Sequence, residues 1–551
     1  MTYVSDYKKL MELDNLFEYL VYISEKYPTN QAVQMLKGGK VYSHSYKELI
    51  KDVKKAGNYL INNGCHKQYI SIIGNFCYEW MVAFFALLYA NNIVVPIDYG
   101  QSGERIARLI EKADAKIVVT QRKILSGSRD IASDLKSYRI IYFDDLENVI
   151  SSEESVNIES RYDSPTLDSP AMIMYTSGTT GFSKGILLSH RNILHNAIAT
   201  VSRFGERAFP PGRTTLALLP PFHMFFISAG VFDTIYYGES LCYSENSLKD
   251  IELLIKTFKP TGLIIVPQIV DGIHKKIWAT AKKSGKQNIL KIALKVSNLL
   301  RKVKIDLRSV LFRIITDTLG GNLHTIICGG AAVNEQTVND MAGFGIKVLV
   351  GYGVNECASI VSVNPPEKQK KGSIGMPIPE PFCKVKVENG EIMISGSIVM
   401  SGYYKDPEGT AEVFDGEWFK TGDIGRIDKD GYLYITGRKK NLIILSDGNN
   451  ISPEEIESRI CQSPIADSAL LYVDESARTP ALHVAVYPDY QYCAANAITD
   501  IKTELNNLLN QVNTENPNYM KITEVKIRET PFEKTAIGKI KRYLYTEAEV
   551  E

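Results

Sequence analysis

The amino-acid sequence predicts an α/β protein, with a large N-terminal domain of layered α/β subdomains and a small α/β C-terminal domain. Three observations carry this prediction. The chain has 551 residues, enough for about three or four folding units. Short apolar runs alternate with amphipathic segments, which is typical of helices packed on largely parallel sheets. After Pro377 the pattern changes to alternating apolar and polar residues, which predicts antiparallel strands.

The predicted elements follow from these patterns in chain order. Helices are predicted where apolar residues recur at helical spacing, at 45–62, 80–90 and 103–113, then at 453–461 and 499–512. Apolar runs predict strands at 69–74, 92–97, 115–120, 139–143, 262–267, 324–330 and 346–353. The acidic, Ser-rich segment 145–170 is predicted as a loop. Hairpins are predicted at Asn389-Gly390 and Asp430-Gly431. The domain boundary is predicted between residues 438 and 439, giving domains 1–438 and 439–551.

Composition excludes several classes of protein. Lys plus Arg and Asp plus Glu both number 63, so the net charge is zero and a nucleic-acid partner is not expected. The eight cysteines are scattered without the spacing of a zinc site or a disulfide framework, which is typical of reduced thiols in a cytoplasmic protein. The N-terminus lacks a secretory pattern, and the apolar stretch 80–97 is too short to span a bilayer. We therefore expect a cytoplasmic protein.

The stretch from Met172 to His190 carries the most chemistry. An apolar strand at 171–175 is predicted to run into a loop rich in glycine and hydroxyl side chains. Glycines let a backbone approach an anion closely, while Ser, Thr and Lys supply donors and charge. The alternative interpretation is a flexible surface turn. The candidate phosphate-binding residues are Thr176, Ser177, Gly178, Thr179, Thr180, Gly181 and Lys184, and a Walker A motif cannot be laid over them.

The sequence YTSGTTGFSKG at 175–185 resembles the phosphate-binding loop of the adenylate-forming superfamily. This superfamily contains acyl-CoA synthetases, luciferases and peptide-synthetase adenylation domains. Five more stretches resemble its motifs in the same order: CGGAAVN at 328–334, GYGVNECA at 351–358, FKTGDIGRID at 419–428, GYLYITGRKKNLII at 431–444 and KTAIGKIKR at 534–542. The resemblance covers about residues 20–543 and is greatest to long-chain fatty acid–CoA ligases.

The resemblance implies an ATP and AMP site on the large domain. Tyr352 would stack on adenine, and Asp423 would bind the ribose hydroxyls, with Arg438 as a second contact. Glu356 and Thr180 would hold Mg2+ against the ATP phosphates. Asn355 stands where the family usually has Thr, and its amide can still donate to the α-phosphate. Together with the loop residues, the implied nucleotide-binding set comprises Gly329, Gly330, Ala331, Tyr352, Gly353, Asn355, Asp423 and Arg438.

The implied catalytic residues are Lys539, Lys184 and Glu356. Lys539, on the small domain, would bridge the acid carboxylate and the α-phosphate, where a cation offsets the crowding of negative charge. Lys440 would be the hinge about which the small domain rotates after adenylation. The loop that would line the CoA channel contains Asp447, Gly448 and Asn449, and Asp447 replaces a frequent Gly of the family.

The acyl side of the site is implied less directly. His223 corresponds to the family histidine beside the carboxylate pocket, although a lone His is more often structural. Phe222, Phe225 and Phe226 could wall an apolar acyl tunnel or belong to the core. The segment 275–313 is similar to an extra segment of long-chain enzymes, and 290–300 within it is amphipathic. This helix could be solvated, or it could make a peripheral contact with anionic membrane.

These residues imply ATP-dependent activation of a carboxylic acid, most simply a long-chain fatty acid, followed by transfer to CoA. The implied cofactors and co-substrates are ATP, Mg2+ and CoA. Three alternatives stay open: loading of a separate acyl carrier protein, an aryl or medium-chain acid–CoA ligase, and a catalytically silent binding protein of the same fold. The absence of a Ser-His or Cys-His signature fits a mechanism without an enzyme nucleophile.

Overall fold

The computed structural model describes residues 5–152, 163–175, 183–205, 212–303, 305–444, 450–474, 481–517, 520–534 and 540–545. The α-helices in these ranges are α1 (Tyr7–Leu10), α2 (Leu16–Lys26), α3 (Tyr46–Asn62), α4 (Tyr78–Tyr89), α5 (Gly103–Lys112), α6 (Arg122–Gly127), α7 (Arg129–Asp134), α8 (Phe143–Ser151), α9 (His190–Phe204), α10 (Thr234–Tyr236), α11 (Ile251–Phe258), α12 (Pro267–Lys283), α13 (Gln287–Lys302), α14 (Arg308–Leu311), α15 (Arg313–Thr318), α16 (Glu335–Phe344), α17 (Pro407–Val413), α18 (Pro453–Ile460), α19 (Tyr490–Ala495) and α20 (Ile501–Glu515). A π-helix spans Phe226–Asp233, and 3-10 turns span Asn355–Cys357, Lys439–Asn441 and Arg542–Leu544.

The strands of the same ranges are β1 (Gln31–Lys37), β2 (Lys40–Ser45), β3 (Tyr69–Ile73), β4 (Ile93–Pro96), β5 (Ile117–Thr120), β6 (Arg139–Tyr142), β7 (Pro170–Tyr175), β8 (Gly185–Ser189), β9 (Thr214–Leu216), β10 (Ser240–Ser244), β11 (Gly262–Ile265), β12 (Thr325–Cys328), β13 (Lys347–Val354), β14 (Ser359–Val363), β15 (Met376–Pro377), β16 (Lys384–Glu388), β17 (Glu391–Ser395), β18 (Gly402–Tyr403), β19 (Phe414–Asp415), β20 (Trp418–Ile427), β21 (Leu433–Arg438), β22 (Ile443–Ile444), β23 (Asn450–Ile451), β24 (Ala466–Asp474), β25 (Ala481–Pro488) and β26 (Ile522–Ile527).

Two large sheets with parallel centres form the N-terminal part. The nine-stranded sheet has the order β15-β14-β13-β12-β11-β9-β10-β1-β2, and β1 and β9 to β13 are its parallel strands. The seven-stranded sheet has the order β18-β8-β7-β4-β3-β5-β6, with β3 to β7 parallel. The predicted α/β class with parallel sheets is confirmed.

The largest apolar core joins these sheets through α4, α9 and the π-helix. Helix α4 is apolar on every side, and its Trp80, Phe84 and Phe85 side chains are buried. A helix that is apolar all round must be covered all round, so α4 lies inside the layers rather than at their surface. A second apolar cluster lies on the nine-stranded sheet beneath α11 to α16.

The chain after β15 forms antiparallel hairpins and then a small separate core. Strands β16 and β17 are joined by Asn389 and Gly390, which both have positive φ, as a tight two-residue hairpin turn requires. Strands β20 and β21 flank the second predicted turn in the same antiparallel sheet. From Ile451 onward, α18, α20 and the sheet β24-β25-β26 enclose an apolar cluster of their own. A large N-terminal and a smaller C-terminal unit are therefore present, while the boundary at 438/439 stays a prediction.

The prediction of a loop over 145–170 is wrong at its beginning. Residues up to Ser151 belong to α8, whose N-terminus is capped because Asp145 Oδ2 accepts a hydrogen bond from the Tyr142 amide (3.0 Å). Phe143 and Leu146 anchor this helix in the core. The acidic composition marked a capped helix start rather than a loop, because acidic residues also stabilise the first helical turn.

All eight cysteines are unbridged, and seven of them are buried. Among the described helices, none combines the length and the apolar character that crossing a bilayer requires.

Candidate active site

The predicted adenine-binding residues meet at the carboxyl ends of two neighbouring parallel strands. Cys328 of β12 pairs with Val350 of β13, so the glycines after β12 lie beside Gly351 and Tyr352. A methyl group on Gly329 would lie 3.4 Å from the Phe225 ring and 3.5 Å from the Gly351 carbonyl. Strand ends of parallel sheets are the usual place for ligands in α/β proteins.

Glycine is required at two positions of this edge. Gly330 has φ +92°, a conformation that side chains with a Cβ rarely adopt. A methyl group on Gly353 would lie 1.4 Å from the Ser359 carbonyl oxygen, so only glycine fits against that strand. Ala331 and Asn355 lie nearby in half-buried positions after β12 and β13. At these two glycines the backbone therefore carries no side chain where the flat ring of adenine would lie.

Asp423 connects the strand edge to the hairpin β20–β21. Its Oδ2 accepts a hydrogen bond from the Tyr352 hydroxyl (2.6 Å), and its Oδ1 lies 2.6 Å from Arg438 Nε. The pairing of β20 with β21 places Asp423 and Arg438 directly opposite each other. Burial and the Asp423 carboxylate raise the pKa of the Tyr352 phenol well above its usual value. Three residues from three separate motifs are thus brought into one buried, polar cluster.

Glu356 belongs to a second cluster beside the first. Its Oε1 accepts a hydrogen bond from the Tyr403 hydroxyl (3.2 Å). Lys184 Nζ lies 4.5 Å from the centre of the Tyr403 ring and 3.8 Å from Asp406 Oδ2. Burial raises the pKa of the Glu356 carboxyl. Tyr403 therefore links two of the implied catalytic residues, Lys184 and Glu356.

Tyr403 and Asp406 were not predicted as site residues. They lie in the run SGYYKDP at 401–407, where Tyr403 forms an edge pairing with β8 and Asp406 caps α17 through the Gly409 amide (2.8 Å). The available signal was two adjacent tyrosines followed by Lys and Asp, but only the folded chain places them against Glu356. Thr421 was also missed, and its hydroxyl accepts a hydrogen bond from the Asp423 amide (3.0 Å).

The implied acyl residues lie at the start of the π-helix. The rings of Phe222 and His223 are 4.8 Å apart, and Phe225 immediately precedes the π-helix. His223 Nε2 has no hydrogen-bond partner among the described residues, and burial lowers the pKa of His223 to about 4. Phe226 belongs to the core, because it packs on Phe76 and Trp80. The imidazole is therefore half-buried and held towards its neutral form, with Nε2 available to bond a ligand atom.

The implied hinge lies beside a basic cleft. Lys440 is the middle residue of the 3-10 turn Lys439–Asn441 that follows β21. A cleft of about 320 Å3 is lined by Thr421, Gly422, Arg438, Lys439 and Lys440. Burial and the neighbouring Arg438 lower the pKa of Lys440. Arg438 and Lys439 are paired with the carboxylates of Asp423 and Glu391, so their charges are largely offset beside this cleft.

Several predicted residues lie outside the described ranges. They are Thr176, Ser177, Gly178, Thr179, Thr180 and Gly181 of the phosphate loop, Asp447, Gly448 and Asn449 of the CoA channel, and Lys539. The described flanks of the loop are β7, which ends at Tyr175, and Ser183 before β8.

The described residues fit a magnesium ion carried by a phosphate substrate. No group of three or more His, Cys, Asp or Glu side chains that could hold a metal occurs in the described ranges. Mg2+ usually takes one or two carboxylates together with substrate phosphates rather than a complete protein cage. The single carboxylate of Glu356 matches that coordination chemistry.

Comparisons with known proteins agree with this site. A family model described as AMP-binding enzyme matches residues 22–404. Long-chain-fatty-acid–CoA ligase FadD15 of Mycobacterium bovis is 28% identical over 426 residues, covering 72% of this chain and 69% of the relative. Long-chain-fatty-acid–CoA ligase 5 of Rattus norvegicus is 30% identical over 458 residues, covering 75% of this chain and 66% of the relative.

A solved structure shares the fold over nearly the whole chain. The o-succinylbenzoate CoA synthetase of Bacillus subtilis, in complex with its acyl-adenylate, has a TM-score of 0.73 and 21% identity and covers 96% of this chain and 97% of its own. Because the family model matches more than half of the residues, the chain belongs to the family of AMP-binding enzymes. The predicted resemblance to the adenylate-forming superfamily is confirmed, and the class of activity is that of an AMP-forming acid–CoA ligase.

Proposed function

We propose that the protein is a long-chain fatty acid–CoA ligase that uses ATP, Mg2+ and CoA. In the first half-reaction a carboxylate oxygen of the acid attacks the α-phosphate of ATP and expels pyrophosphate. In the second, the CoA thiol loses its proton and its sulfur attacks the acyl carbonyl, expelling AMP. The observation that carries this proposal is the buried cluster of Tyr352, Asp423 and Arg438 at the strand edge.

Each residue has a defined task in the first half-reaction. Tyr352 and the bare backbone of Gly329 and Gly330 support adenine, and Asp423, oriented by Arg438, accepts the ribose hydroxyls. Glu356 supplies the carboxylate for Mg2+, which neutralises phosphate charge when it is bound. The o-succinylbenzoate synthetase of Bacillus subtilis has also been solved with ATP and a magnesium ion.

The remaining tasks fall to positively charged residues and to His223. Lys184 and the loop 176–181 hold the phosphates, and Lys539 offsets the charge of the attacking carboxylate. His223, half-buried and held towards its neutral form, accepts or donates one hydrogen bond beside that carboxylate. Lys440 is the hinge. Rotation about it withdraws Lys539 from the site and brings in the CoA-channel residues 447–449. These roles follow the family motifs and stay proposals for this chain.

The choice of a long acyl chain has two supports. The curated relatives described above are long-chain-fatty-acid ligases, and the described chain has the extra helices α13 to α15 between β11 and β12. The main competitor is an aryl acid, because the solved relatives include an anthranilate CoA ligase with a TM-score of 0.76 and 18% identity. A separate acyl carrier protein is the competing thiol acceptor.

Pyrophosphate release across a panel of acids tests this function directly. A saturated fatty acid series should show kcat/KM rising by about fourfold per carbon until the acyl site is full, since each buried methylene contributes up to ~0.8 kcal/mol. Benzoate and phenylacetate should be poor substrates. A maximum at acetate or at an aromatic acid would contradict the long-chain assignment but leave adenylation intact.

Two further measurements test the identity of the thiol acceptor and the catalytic role of Lys539. Product analysis with CoA, and with an acyl carrier protein in its place, should give a thioester only with CoA. Lys539→Ala should abolish most acyl-AMP formation and spare thioester formation from supplied acyl-AMP. Full pyrophosphate release by this variant would remove Lys539 from the mechanism.

A second proposal concerns peripheral contact with an anionic membrane through α13 to α15. Helix α13 exposes Ile289, Ile292, Val296, Leu299 and Val303 at alternating spacings of three and four residues, with Ile289 64% and Leu299 65% exposed. This spacing forms one apolar stripe on a helix. The apolar surface continues through Val310 and Ile314, which is 77% exposed. An exposed apolar area of this extent is unusual for a free surface.

The opposite face of α13 is fixed to the protein. Leu294 and Ser297 are buried, and a methyl group on Gly343 of α16 would lie 2.6 Å from Leu294 Cδ2. The segment 275–313 carries twelve Lys or Arg residues and one acidic residue, Asp306. A basic, apolar face of this kind matches anionic lipid headgroups above acyl chains, and each basic residue near such a surface contributes about 1 kcal/mol.

Vesicle flotation tests this contact. The protein should float with vesicles that contain phosphatidylglycerol and should bind weakly to pure phosphatidylcholine. Replacing Ile289, Ile292 and Leu299 by Ser, or Lys291 and Lys295 by Glu, should release the protein. The matched control replaces the exposed Val41 and Tyr42 of β2 by Ser and should still bind. Vesicle binding that survives both changes, or a change in oligomeric state alone, would overturn the proposal.

A further inference from the structure

A buried carboxyl group without a partner ends the π-helix. Asp233 is 4% exposed, and neither of its carboxyl oxygens has a hydrogen-bond partner in the described part of the chain. Its neighbours differ: the Thr234 hydroxyl donates to the Ala229 carbonyl (3.1 Å), and Glu239 accepts from the Thr215 hydroxyl (2.8 Å). Buried polar groups in native proteins are nearly always paired, so this group needs an explanation.

The Asp233 side chain lines a small cavity between the π-helix and the strands β11 and β12. Ala229, Ile264 and Ile327 are among the apolar lining residues. The polar or hydroxyl-bearing lining residues are Thr215, Asp233, Thr234, Tyr237, Glu239 and Thr325. The cavity volume is about 20 Å3. That is room for one group of the size of a water molecule. The cavity is therefore suited to a single small polar group.

Two elements connect this cavity to the acyl residues. The π-helix begins just after Phe225 and ends at Asp233, a distance of about 10 Å along a helix. Strand β12 runs from Thr325, at the cavity, towards Gly329, a distance of about 13 Å along a strand. The Phe225 ring lies against Gly329. The π-helix and β12 thus lie close to each other at both ends. One end is the contact between Phe225 and Gly329, and the other is the cavity.

Asp233 carries a carboxyl group that burial holds towards its uncharged form. Burial raises the pKa of its carboxyl well above the usual value. An uncharged carboxyl both donates and accepts hydrogen bonds, whereas a carboxylate only accepts. A hydroxyl group has the same dual capacity and matches the carboxyl in both directions. The terminal methyl group of a plain fatty acid in this cavity would leave the Asp233 carboxyl unpaired, which costs free energy in a buried site.

We propose that the cavity at Asp233 is the far end of the acyl site and that it receives a hydroxyl group, so that the preferred substrate is a long-chain acid hydroxylated at the end remote from its carboxylate. This inference rests on the proposed function, because it takes the chain to activate such acids. It adds a substrate class that an apolar tunnel alone does not specify.

Paired substrates test the inference. For each chain length, kcat/KM for pyrophosphate release is compared between the plain fatty acid, its ω-hydroxy analogue and its ω-amino analogue. At the length that reaches Asp233, the ω-hydroxy acid should exceed the plain acid by about tenfold or more, because a buried carboxyl left unpaired is costly. Equal efficiency at every length, or preference for the amine, would overturn the inference.

Two substitutions at Asp233 and one elsewhere make the test specific. Asp233→Asn keeps the size and both hydrogen-bonding capacities and should retain the hydroxyl preference. Asp233→Leu keeps the branched shape without polar atoms and should lose the preference while accepting plain acids. Ser297→Ala removes another buried, unpartnered hydroxyl, on α13, and should leave acid preference unchanged. A hydroxyl preference that survives Asp233→Leu would also overturn the inference.

Failure of the inference is distinguishable from failure of the proposed function. If no acid releases pyrophosphate, the proposed function is wrong. Calorimetric binding of the ω-hydroxy acid to the wild type and to Asp233→Leu then decides the role of Asp233 without turnover. Tighter binding by the wild type supports it, and equal binding contradicts it.

Discussion

At the scale of single residues, Asp423 has the most demanding position in the candidate site. It is 2% exposed, and its two oxygens are occupied by Tyr352 and Arg438. A buried carboxylate is stable only if it is paired and hydrogen-bonded, and here both partners come from motifs distant in the chain. Under the proposed function the same carboxylate would also bind the ribose hydroxyls, so one residue would serve both the fold and the ligand.

Asp423→Asn is expected to raise the KM for ATP by about tenfold or more, because hydrogen bonds to a charged group contribute roughly 1.5–3 kcal/mol. The amide oxygen can still accept from Arg438 Nε, and the amide NH2 can donate to the Tyr352 hydroxyl oxygen, so the chain should fold. Steady-state kinetics of pyrophosphate release measures the change. Asp428→Asn is the matched control, since Asp428 lies on the same hairpin but pairs with Lys370 (2.5 Å). An unchanged KM in Asp423→Asn would remove the residue from ribose binding.

His190 makes stability depend on pH. Its Nδ1 accepts a hydrogen bond from the Leu16 amide (3.2 Å), and burial lowers its pKa to about 3. A histidine in the unfolded chain titrates near 6.5, so below about that pH the unfolded state binds a proton that the native state does not. The free energy of unfolding should therefore fall as pH decreases from about 6.5 towards 3, by up to about 1.4 kcal/mol per pH unit.

Urea unfolding at several pH values measures this dependence. His190→Gln keeps an acceptor for the Leu16 amide but cannot be protonated, so its stability should fall less steeply below about pH 6.5. Identical slopes for the wild type and the variant would show that His190 does not carry the effect.

At the scale of elements, the turn after β21 is the predicted hinge between the two half-reactions. Residues Lys439–Asn441 form a single 3-10 turn between β21 and β22. The Lys439 side chain is tied to Glu391 of β17 (2.7 Å), while Lys440 lies at the basic cleft. One backbone turn therefore separates the hairpin of the ribose cluster from the C-terminal core.

Lys440→Pro should spare acyl-AMP formation and sharply reduce transfer to CoA. Proline fixes φ near −65° and also restricts the preceding residue, so a turn that must change conformation is held in one state. Lys440→Ala is the control, because it removes the charge but leaves the backbone free. Both half-reactions are measured separately, with acyl-AMP supplied for the second. Equal losses in both steps of the proline variant would show that residue 440 is not the pivot.

At the scale of the whole molecule, α12 links the large part to the C-terminal part. Lys275 Nζ lies 2.7 Å from Asp489 Oδ2, at the N-terminus of α19. Lys282 Nζ donates to Asn496 Oδ1 (2.9 Å) and to the Ala495 carbonyl. These contacts hold the two parts in the observed orientation, and the proposed rotation about Lys440 would break them.

The double substitution Lys275→Ala and Lys282→Ala should change the balance of the half-reactions. Exposed contacts of a charged side chain contribute about 0.2–1 kcal/mol each, so losing both should lower the ratio of the observed orientation to the rotated one by about two- to thirtyfold. One half-reaction should slow and the other accelerate. Lys276→Ala is the matched control, because Lys276 is on the same helix but pairs with Glu252 within the large part. A parallel change in both half-reactions would contradict the role of these contacts.

The sequence by itself determined the class of fold, most of the elements and the family. Apolar periodicity and turn residues act locally, so the strands at 69–74 and 262–267 and the Asn389-Gly390 hairpin were predictable from short windows of sequence. The motif order was enough to predict adenylate formation. The failure at 145–170 has a local cause as well, because acidic residues are favoured both in loops and at capped helix starts.

Only the tertiary structure decided which side chains meet. Tyr403 is separated from Glu356 by 47 residues, and Asp423 is separated from Tyr352 by 71, yet each pair shares a hydrogen bond. The cavity at Asp233, the contact between α12 and α19 and the exposed apolar stripe of α13 depend likewise on how layers pack. Periodicity places a residue on a face of its element, but packing between distant segments determines what that face contacts.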